Sequence, residues 1–103
     1  MPSDKAVVDH IREQLSGVFD VSYRAMMGET ILYYRGKVVG GVYDNRLLIK
    51  PTPSAKRLLP DARLELPYPG AKEMLLVERT EDRAFLSTLL NAVYEDLPAK
   101  NKR

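Results

Sequence analysis

Few residues in this 103-residue chain have the type and spacing that enzymatic chemistry needs. His10 is the single histidine, and the chain has no cysteine, which excludes a thiolate nucleophile, a disulfide and a thiolate metal site. The acidic pairs at 81–82 and 95–96 lie on predicted helices, where adjacent residues point to different sides. The sequence therefore predicts no catalytic residue, no metal ligand and no cofactor.

Arg24 is the side chain with the clearest potential for binding. It lies between Tyr23 and Ala25, directly before a predicted turn at residues 26–28. A guanidinium group can hold a carboxylate or a phosphate through two parallel hydrogen bonds. Pairing with a local acid such as Glu29 is at least an equal alternative, because the sequence shows no second polar group converging with Arg24. Both interpretations stay open at this point.

The stretch from Tyr23 to Pro51 organises the rest of the chain. Three runs of β-branched, aromatic and aliphatic residues, 30–35, 38–43 and 47–50, are separated by Gly36-Lys37 and by Asp44-Asn45-Arg46. Separators this short indicate antiparallel hairpins. Because side chains alternate along a strand, both faces of this meander are partly apolar. One face can pack on helices, and the other, which carries tyrosines, is a candidate contact surface.

The remaining segments supply the cover for this sheet. Apolar spacing predicts an amphipathic helix from the Ser3-Asp4 cap to Gly17, a short helix at 55–59, a hairpin over 63–77 and a last helix from Thr80 to Leu97. The predicted fold is α+β, with a single antiparallel sheet and helices mainly on one face, in the order α-β(3)-α-β(2)-α. One domain is expected at 1–97, followed by a disordered basic tail at 98–103.

Charge and hydropathy narrow the choice of partner. The formal net charge is +2, and residues 21–72 hold nine Lys and Arg against four Asp and Glu. A mildly basic sheet attracts phosphate, but charged strands also protect sheet edges from pairing. No window reaches the ~18 apolar residues of a membrane span, and no secretory leader is seen. A cytoplasmic protein without membrane contact is the expectation.

Several short motifs resemble the N-terminal domain of the TfoX/Sxy family. They are Arg24-Ala-Met26-Met27-Gly28, Tyr34 with Gly36-Lys37, Gly40, Asp44, Leu48-Ile-Lys50 and Tyr68-x-Gly70-Ala-Lys72-x-Met74. Their order and spacing carry the resemblance, which covers nearly the whole chain, although the family commonly has Phe at the position of Met27. The resemblance implies a bacterial domain of order α-β(3)-α-β(2)-α. Longer family members are competence regulators that act with the cyclic-AMP receptor protein and carry a second, helical domain, for which a chain ending at Arg103 has no room.

These observations predict a non-enzymatic protein-interaction module that resembles an accessory transcriptional regulator. Its expected partner is another protein, of the transcription machinery. The candidate interaction residues are Arg24, Met26, Gly28, Tyr34, Gly36, Lys37 and Lys50. Two alternatives stay open, which are direct nucleic-acid binding by the basic sheet and a small-molecule site or enzyme with a pocket near Gly28 and Arg24. A homodimer is also open, because an uncovered sheet face or edge tends to find a partner.

Overall fold

A computed structural model describes residues 3–98 as one antiparallel sheet with three helices. The first part of the chain forms α1 (Lys5–Gln14), β1 (Val21–Met26), β2 (Glu29–Tyr34), β3 (Lys37–Tyr43) and β4 (Arg46–Ile49). The second part forms α2 (Pro53–Leu58), β5 (Leu64–Glu65), β6 (Met74–Val77) and α3 (Arg83–Asp96). The six strands lie in the order β1-β2-β3-β4-β6-β5. The predicted α+β class with a single antiparallel sheet is confirmed.

The sheet contains one strand more than the sequence predicts. The sequence predicts the three strands at 30–35, 38–43 and 47–50, yet residues 21–26 form a further strand, β1, which pairs with β2 along its whole length. The order is therefore α-β(4)-α-β(2)-α, and the predicted α-β(3)-α-β(2)-α is wrong in its first group of strands. The turn that joins β1 to β2 has φ of 53° at Met27 and 86° at Gly28. A methionine rarely adopts this left-handed conformation, so the sequence does not signal the hairpin.

Two further hairpins use the same kind of turn. Arg35 and Gly36 have φ of 53° and 85°, and Asp44 and Asn45 have φ of 50° and 64°. Positive φ at both central residues defines a type I′ turn, whose twist matches that of the antiparallel strands it joins. The two predicted separators are thus confirmed as turns, with bounds shifted by one residue. The first turn is Arg35-Gly36 because Lys37 already belongs to β3, and the second is Asp44-Asn45 because Arg46 already belongs to β4.

All three helices pack on one face of the sheet. Through the strand register, Leu32, Ile49 and Leu75 share this face, and all three are buried in the core. The helices contribute Ile11 and Leu15 from α1, Ala55 from α2, and Leu86, Leu89, Leu90 and Val93 from α3. The burial of apolar area between these layers supplies the main driving force for the fold. The prediction of helices mainly on one face is therefore confirmed.

A glycine pair inside a strand is typical of a bulge or of a close approach of another backbone, and the pair at 40–41 lies beside the first and at the second. The pairing of β2 with β3 shifts its register between Leu32 and Tyr33, which marks a bulge. A Cβ atom at Gly41 would lie 2.6 Å from the carbonyl oxygen of Thr30 on the neighbouring strand. The backbones therefore approach too closely here for a residue with a side chain.

Residues 3–98 include no helix that is long and apolar enough to cross a bilayer. The helix with the most residues that the structure describes, α3, has 14, whereas a spanning helix needs about 20. The basic tail predicted at 98–103 lies outside the described residues, except for Pro98.

Asp96, the last residue of α3, holds the first turn of α2. Its carboxylate accepts hydrogen bonds from the backbone amide of Ser54 at 2.7 Å and from the Ser54 hydroxyl at 3.0 Å. The amide hydrogen bond is the main cause that lowers the pKa of Asp96 below its ordinary value of 3.8. Because the folded-state pKa is lowered, the ionised carboxylate stabilises the fold above pH 3.8, and this stabilisation is lost as the pH falls through the folded-state pKa.

We expect Asp96→Asn to lower the thermal midpoint at pH 7 by a few degrees. The variant should also lose part of the stability change that the wild-type protein shows below about pH 4. Thermal melts followed by circular dichroism over a series of pH values measure both effects. Glu95→Gln, at the exposed neighbouring position, is the control and should leave the profile unchanged. Identical profiles for Asp96→Asn and the wild type would contradict the role of this carboxylate.

Candidate functional site

The second face of the sheet, which we call the open face, is not covered by any helix within residues 3–98. The strand register places five residues side by side across it, namely Arg24, Ile31, Gly41, Leu48 and Leu76. Leu48 is nevertheless fully buried, and Tyr43 on the same face is only 7% exposed. The centre of the open face is therefore shielded by something other than a helix.

The loop between β5 and β6, residues 66–73, packs on the open face. The ring of Tyr68 lies against that of Tyr43, with 6.2 Å between the ring centroids. At the start of the loop, Arg46 makes an ion pair of 2.8 Å with Glu65 and donates a second hydrogen bond to a loop carbonyl at 3.5 Å. Both charged side chains are 25% exposed, so water screens this pair less than a surface pair. The loop is thus fixed to the sheet at two points.

A cleft of about 640 Å³ lies between this loop and the strands, and we call it the loop cleft. Apolar and aromatic surface comes from Val38, Tyr43, Tyr68 and Met74. The charged lining residues are Lys50, Lys72 and Glu73. Clefts of this volume with a mainly apolar lining and a few polar groups are typical binding sites.

Tyr43 lines the loop cleft, and Gly41 on the same strand leaves space for its ring. A Cβ atom at Gly41 would lie only 2.8 Å from Cε2 of Tyr43, so the missing side chain lets the tyrosine ring lie on the strand. Burial is the main cause that raises the pKa of Tyr43 above its ordinary value of 10.0, and the neighbouring Tyr68 adds to this shift. Tyr43 therefore keeps its proton at neutral pH and can donate a hydrogen bond. The phenol of Tyr43, the ammonium groups of the two lysines and the apolar side chains of the lining are together suited to binding a ligand or a partner.

The predicted site residues Arg24, Met26 and Gly28 lie at the β1–β2 hairpin, and none of them lines the loop cleft. Arg24 is exposed on the open face, Met26 is 48% exposed, and Gly28 forms the turn. Glu29 accepts a hydrogen bond of 3.3 Å from the backbone amide of Asp44. Within residues 3–98, the ion pairs include none between Arg24 and Glu29. The alternative of a local pair for Arg24 is thus not what the structure shows.

The predicted site residues Tyr34, Gly36 and Lys37 lie at the C-terminal end of α3. The ring of Tyr34 meets that of Tyr94 edge to face, with 5.7 Å between the centroids. Lys37 Nζ donates hydrogen bonds to the carbonyl oxygens of Tyr94 at 3.3 Å and Leu97 at 3.0 Å. A cation is favourable here because the last carbonyl groups of a helix carry partial negative charge. Anchoring of α3 is therefore a sufficient structural reason for Tyr34 and Lys37, and Gly36 supplies the turn between them.

Lys50 is the predicted site residue that lines the loop cleft. Tyr43, Tyr68 and Lys72 line it too, and they are absent from the predicted set. The sequence contains a signal for Tyr68 and Lys72, because both belong to the last motif of the family resemblance. The cluster at 67–70, with two prolines and a glycine, predicts only a turn, and the strand on which the loop packs cannot be derived from turn chemistry.

Comparison with known proteins provides a relative of almost equal length. The chain is 32% identical over 104 residues to an uncharacterized 12.7 kDa protein in the trpE 5′ region of Spirochaeta aurantia. The match covers 100% of this chain and 90% of that protein. The chain belongs to the family of that protein. No known family profile matches the chain, and neither does any solved structure.

Proposed function

We propose that the protein is a non-enzymatic protein-interaction module that binds an acidic segment of a partner protein in the loop cleft. The observation that carries this proposal is the convergence of exposed aromatic surface and two lysines on one cleft of the open face. The resemblance to the TfoX/Sxy N-terminal domain supports a partner in the transcription machinery. The membership of a family with a relative of nearly the same length is compatible with a domain that works through another protein.

The apolar part of the cleft favours a protein partner. Tyr68 is 57% exposed at the rim of the cleft, and Met74 is half-buried in its lining. Tyrosine and methionine are enriched in protein interfaces, because they add contact area at a low entropic cost and adapt to the shape of the partner. Tyr68 contacts the ring of Tyr43 and remains largely exposed, and tyrosines in such positions are typical anchor residues.

The charged part of the cleft favours an acidic segment. Lys50 and Lys72 line the cleft, and the ion pairs within residues 3–98 include neither of them. Arg46, by contrast, already has its partner in Glu65. Glu73 reduces the positive charge of the lining without cancelling it. Carboxylates of a bound segment would complement the two ammonium groups and fix the orientation of the segment.

Capture of the partner from a lysate of the host tests the proposal. We expect the tagged full-length chain to retain a stoichiometric protein that resists nuclease treatment. Tyr68→Ala and Lys50→Glu should each weaken this capture by about tenfold or more, because they remove an anchor and reverse a complementary charge. Lys56→Glu is the matched control, because Lys56 is exposed on α2 and is not a lining residue of the cleft, and this variant should bind like the wild type.

The same experiment separates the alternatives. A partner that disappears with nuclease would indicate nucleic-acid binding, and the affinity would then fall steeply as salt is added. If no macromolecule is retained, a thermal-shift screen with small anionic metabolites tests the cleft as a ligand site, because a ligand of the native state raises the thermal midpoint. Equal capture by Tyr68→Ala, Lys50→Glu and the wild type would contradict the loop cleft as the binding site.

A further inference from the structure

The two edges of the sheet differ in how they are protected. At one edge, β5 has only two residues and is followed closely by Pro67. At the other edge, β1 has six residues, contains no proline and ends in three exposed residues. A long edge strand without a proline or a bulge is a template for pairing with another strand. The edge formed by β1 is therefore the less protected of the two.

Three residues of β1 direct their backbone amide and carbonyl groups outwards. In a hairpin with a two-residue turn, the flanking residues Met26 and Glu29 form a hydrogen-bonded pair, and such pairs alternate along the ladder. The hydrogen bond of 2.8 Å from the amide of Arg35 to the carbonyl oxygen of Asp20 continues the same series at the far end. The residues between these pairs are Val21, Tyr23 and Ala25, and their backbone amide and carbonyl groups point away from β2.

Large apolar side chains lie exposed at both ends of β1. Phe19 is 87% exposed just before the strand, and Met27 is 96% exposed just after it. Met27 also has φ of 53°, a left-handed conformation that costs an L-residue other than glycine about 1 kcal/mol. Exposed apolar groups of this size beside an unpaired strand edge mark a contact surface.

We propose that β1 pairs antiparallel with β1 of a second copy of this chain, with the two-fold axis at Tyr23. In an antiparallel pair of strands, the residue numbers of any two facing residues have the same sum. When Tyr23 faces Tyr23 of the partner subunit, residues 21–25 of the two strands pair with each other, and the end of β1 that carries Met27 lies beside the end that carries Phe19 of the partner subunit. Ser22 then faces Arg24 of the partner subunit, so that no like charges lie directly opposite each other.

Neighbouring registers are less favourable. A two-fold axis perpendicular to the sheet keeps the open faces of both copies on the same side. The residue at the axis must then face the same residue of the other copy, so each alternative register moves the axis to the next residue along the strand. An axis at Arg24 would place Arg24 opposite Arg24 of the partner subunit, with like charges in contact. An axis at Ser22 would pair only residues 21–23 of the two β1 strands with each other. The register at Tyr23 pairs residues 21–25 of both strands and places no like charges opposite each other.

The dimer has a consequence for the open face. Pairing through β1 would join two six-stranded sheets into one continuous sheet. Because the axis is perpendicular to the sheet, both open faces would lie on the same side of it. Two loop clefts facing the same way could hold two segments of one partner, which raises avidity without any new contact.

Sedimentation velocity of the full-length chain over a series of concentrations tests the dimer. We expect the wild type to sediment with twice the mass of one chain and Ala25→Pro to sediment as a monomer. Proline removes an amide that points outwards and places its ring in the interface, whereas the pairing with β2 does not use that amide. Ala25→Ser keeps the amide and is the matched control, which should remain dimeric. Circular dichroism checks that each variant is folded.

Ser22 provides an independent test of the register. Because Ser22 is exposed on the open face, charged substitutions there should leave the fold intact. Ser22→Glu should strengthen the dimer and Ser22→Lys should weaken it, each by about two- to fivefold in the dissociation constant, since both face Arg24 of the partner subunit. A wild type that is monomeric at all concentrations would overturn the proposal. It would also be overturned by a folded Ala25→Pro variant that still dimerises, or by two Ser22 variants that shift the constant equally.

Discussion

Gly40→Ala is expected to lower the free energy of unfolding by about 3 kcal/mol or more. A Cβ atom at this position would collide with the backbone carbonyl oxygen of Leu48 and would lie 2.9 Å from Cδ1 of Ile49. The first of these atoms belongs to the backbone of a paired strand and cannot rotate away. β3 lies between β2 and β4, so that a shift which relieves one contact disturbs the other ladder.

Urea denaturation followed by circular dichroism measures this change. Gly17→Ala is the matched control, because the space around a Cβ atom at Gly17 is open to at least 4 Å. The control should change the free energy of unfolding by less than about 0.5 kcal/mol, as most surface substitutions do. If Gly40→Ala were as stable as Gly17→Ala, β3 and β4 would have to separate without cost, and the close approach of the strands would not be what requires glycine here.

The helices, hairpins and sheet class could be predicted because their signals are local. Turn residues and alternating apolar positions determine an antiparallel meander without any knowledge of distant contacts. The one missed strand, β1, shows the limit of this approach. Its hairpin turn places Met27 in a conformation that asparagine or glycine adopts more easily. Local propensity and the actual turn disagree at this residue, which is also where the edge proposed for dimerisation ends.

The candidate site could be predicted only in part, because its residues converge through tertiary packing. Lys50 follows β4, whereas Tyr68 and Lys72 lie on a loop whose position depends on the ion pair between Arg46 and Glu65. Neither turn chemistry nor periodicity encodes that contact. The motif residues of the family resemblance therefore have different roles. Lys50, Tyr68 and Lys72 line the loop cleft, whereas Lys37 anchors α3.

Lys37→Met is expected to lower the free energy of unfolding by about 2 kcal/mol. The substitution keeps the length of the side chain but removes the ammonium group that binds the carbonyl oxygens of Tyr94 and Leu97. These carbonyls would lose their charged donor at a partly buried position, and the ammonium contact of 4.1 Å with the Tyr94 ring would be lost as well. Urea denaturation and thermal melts measure the loss.

Lys50→Met is the matched control, because Lys50 is a neighbouring lysine that lines the cleft and takes no part in the hydrogen bonds that anchor α3. It should change stability by less than about 0.5 kcal/mol while weakening capture of an acidic partner. The two substitutions would then have different effects: Lys37→Met would lower the stability of the fold, and Lys50→Met would weaken binding. If Lys37→Met kept full stability and lost capture instead, the anchoring contacts would contribute nothing measurable, and Lys37 would belong to the binding surface together with Lys50.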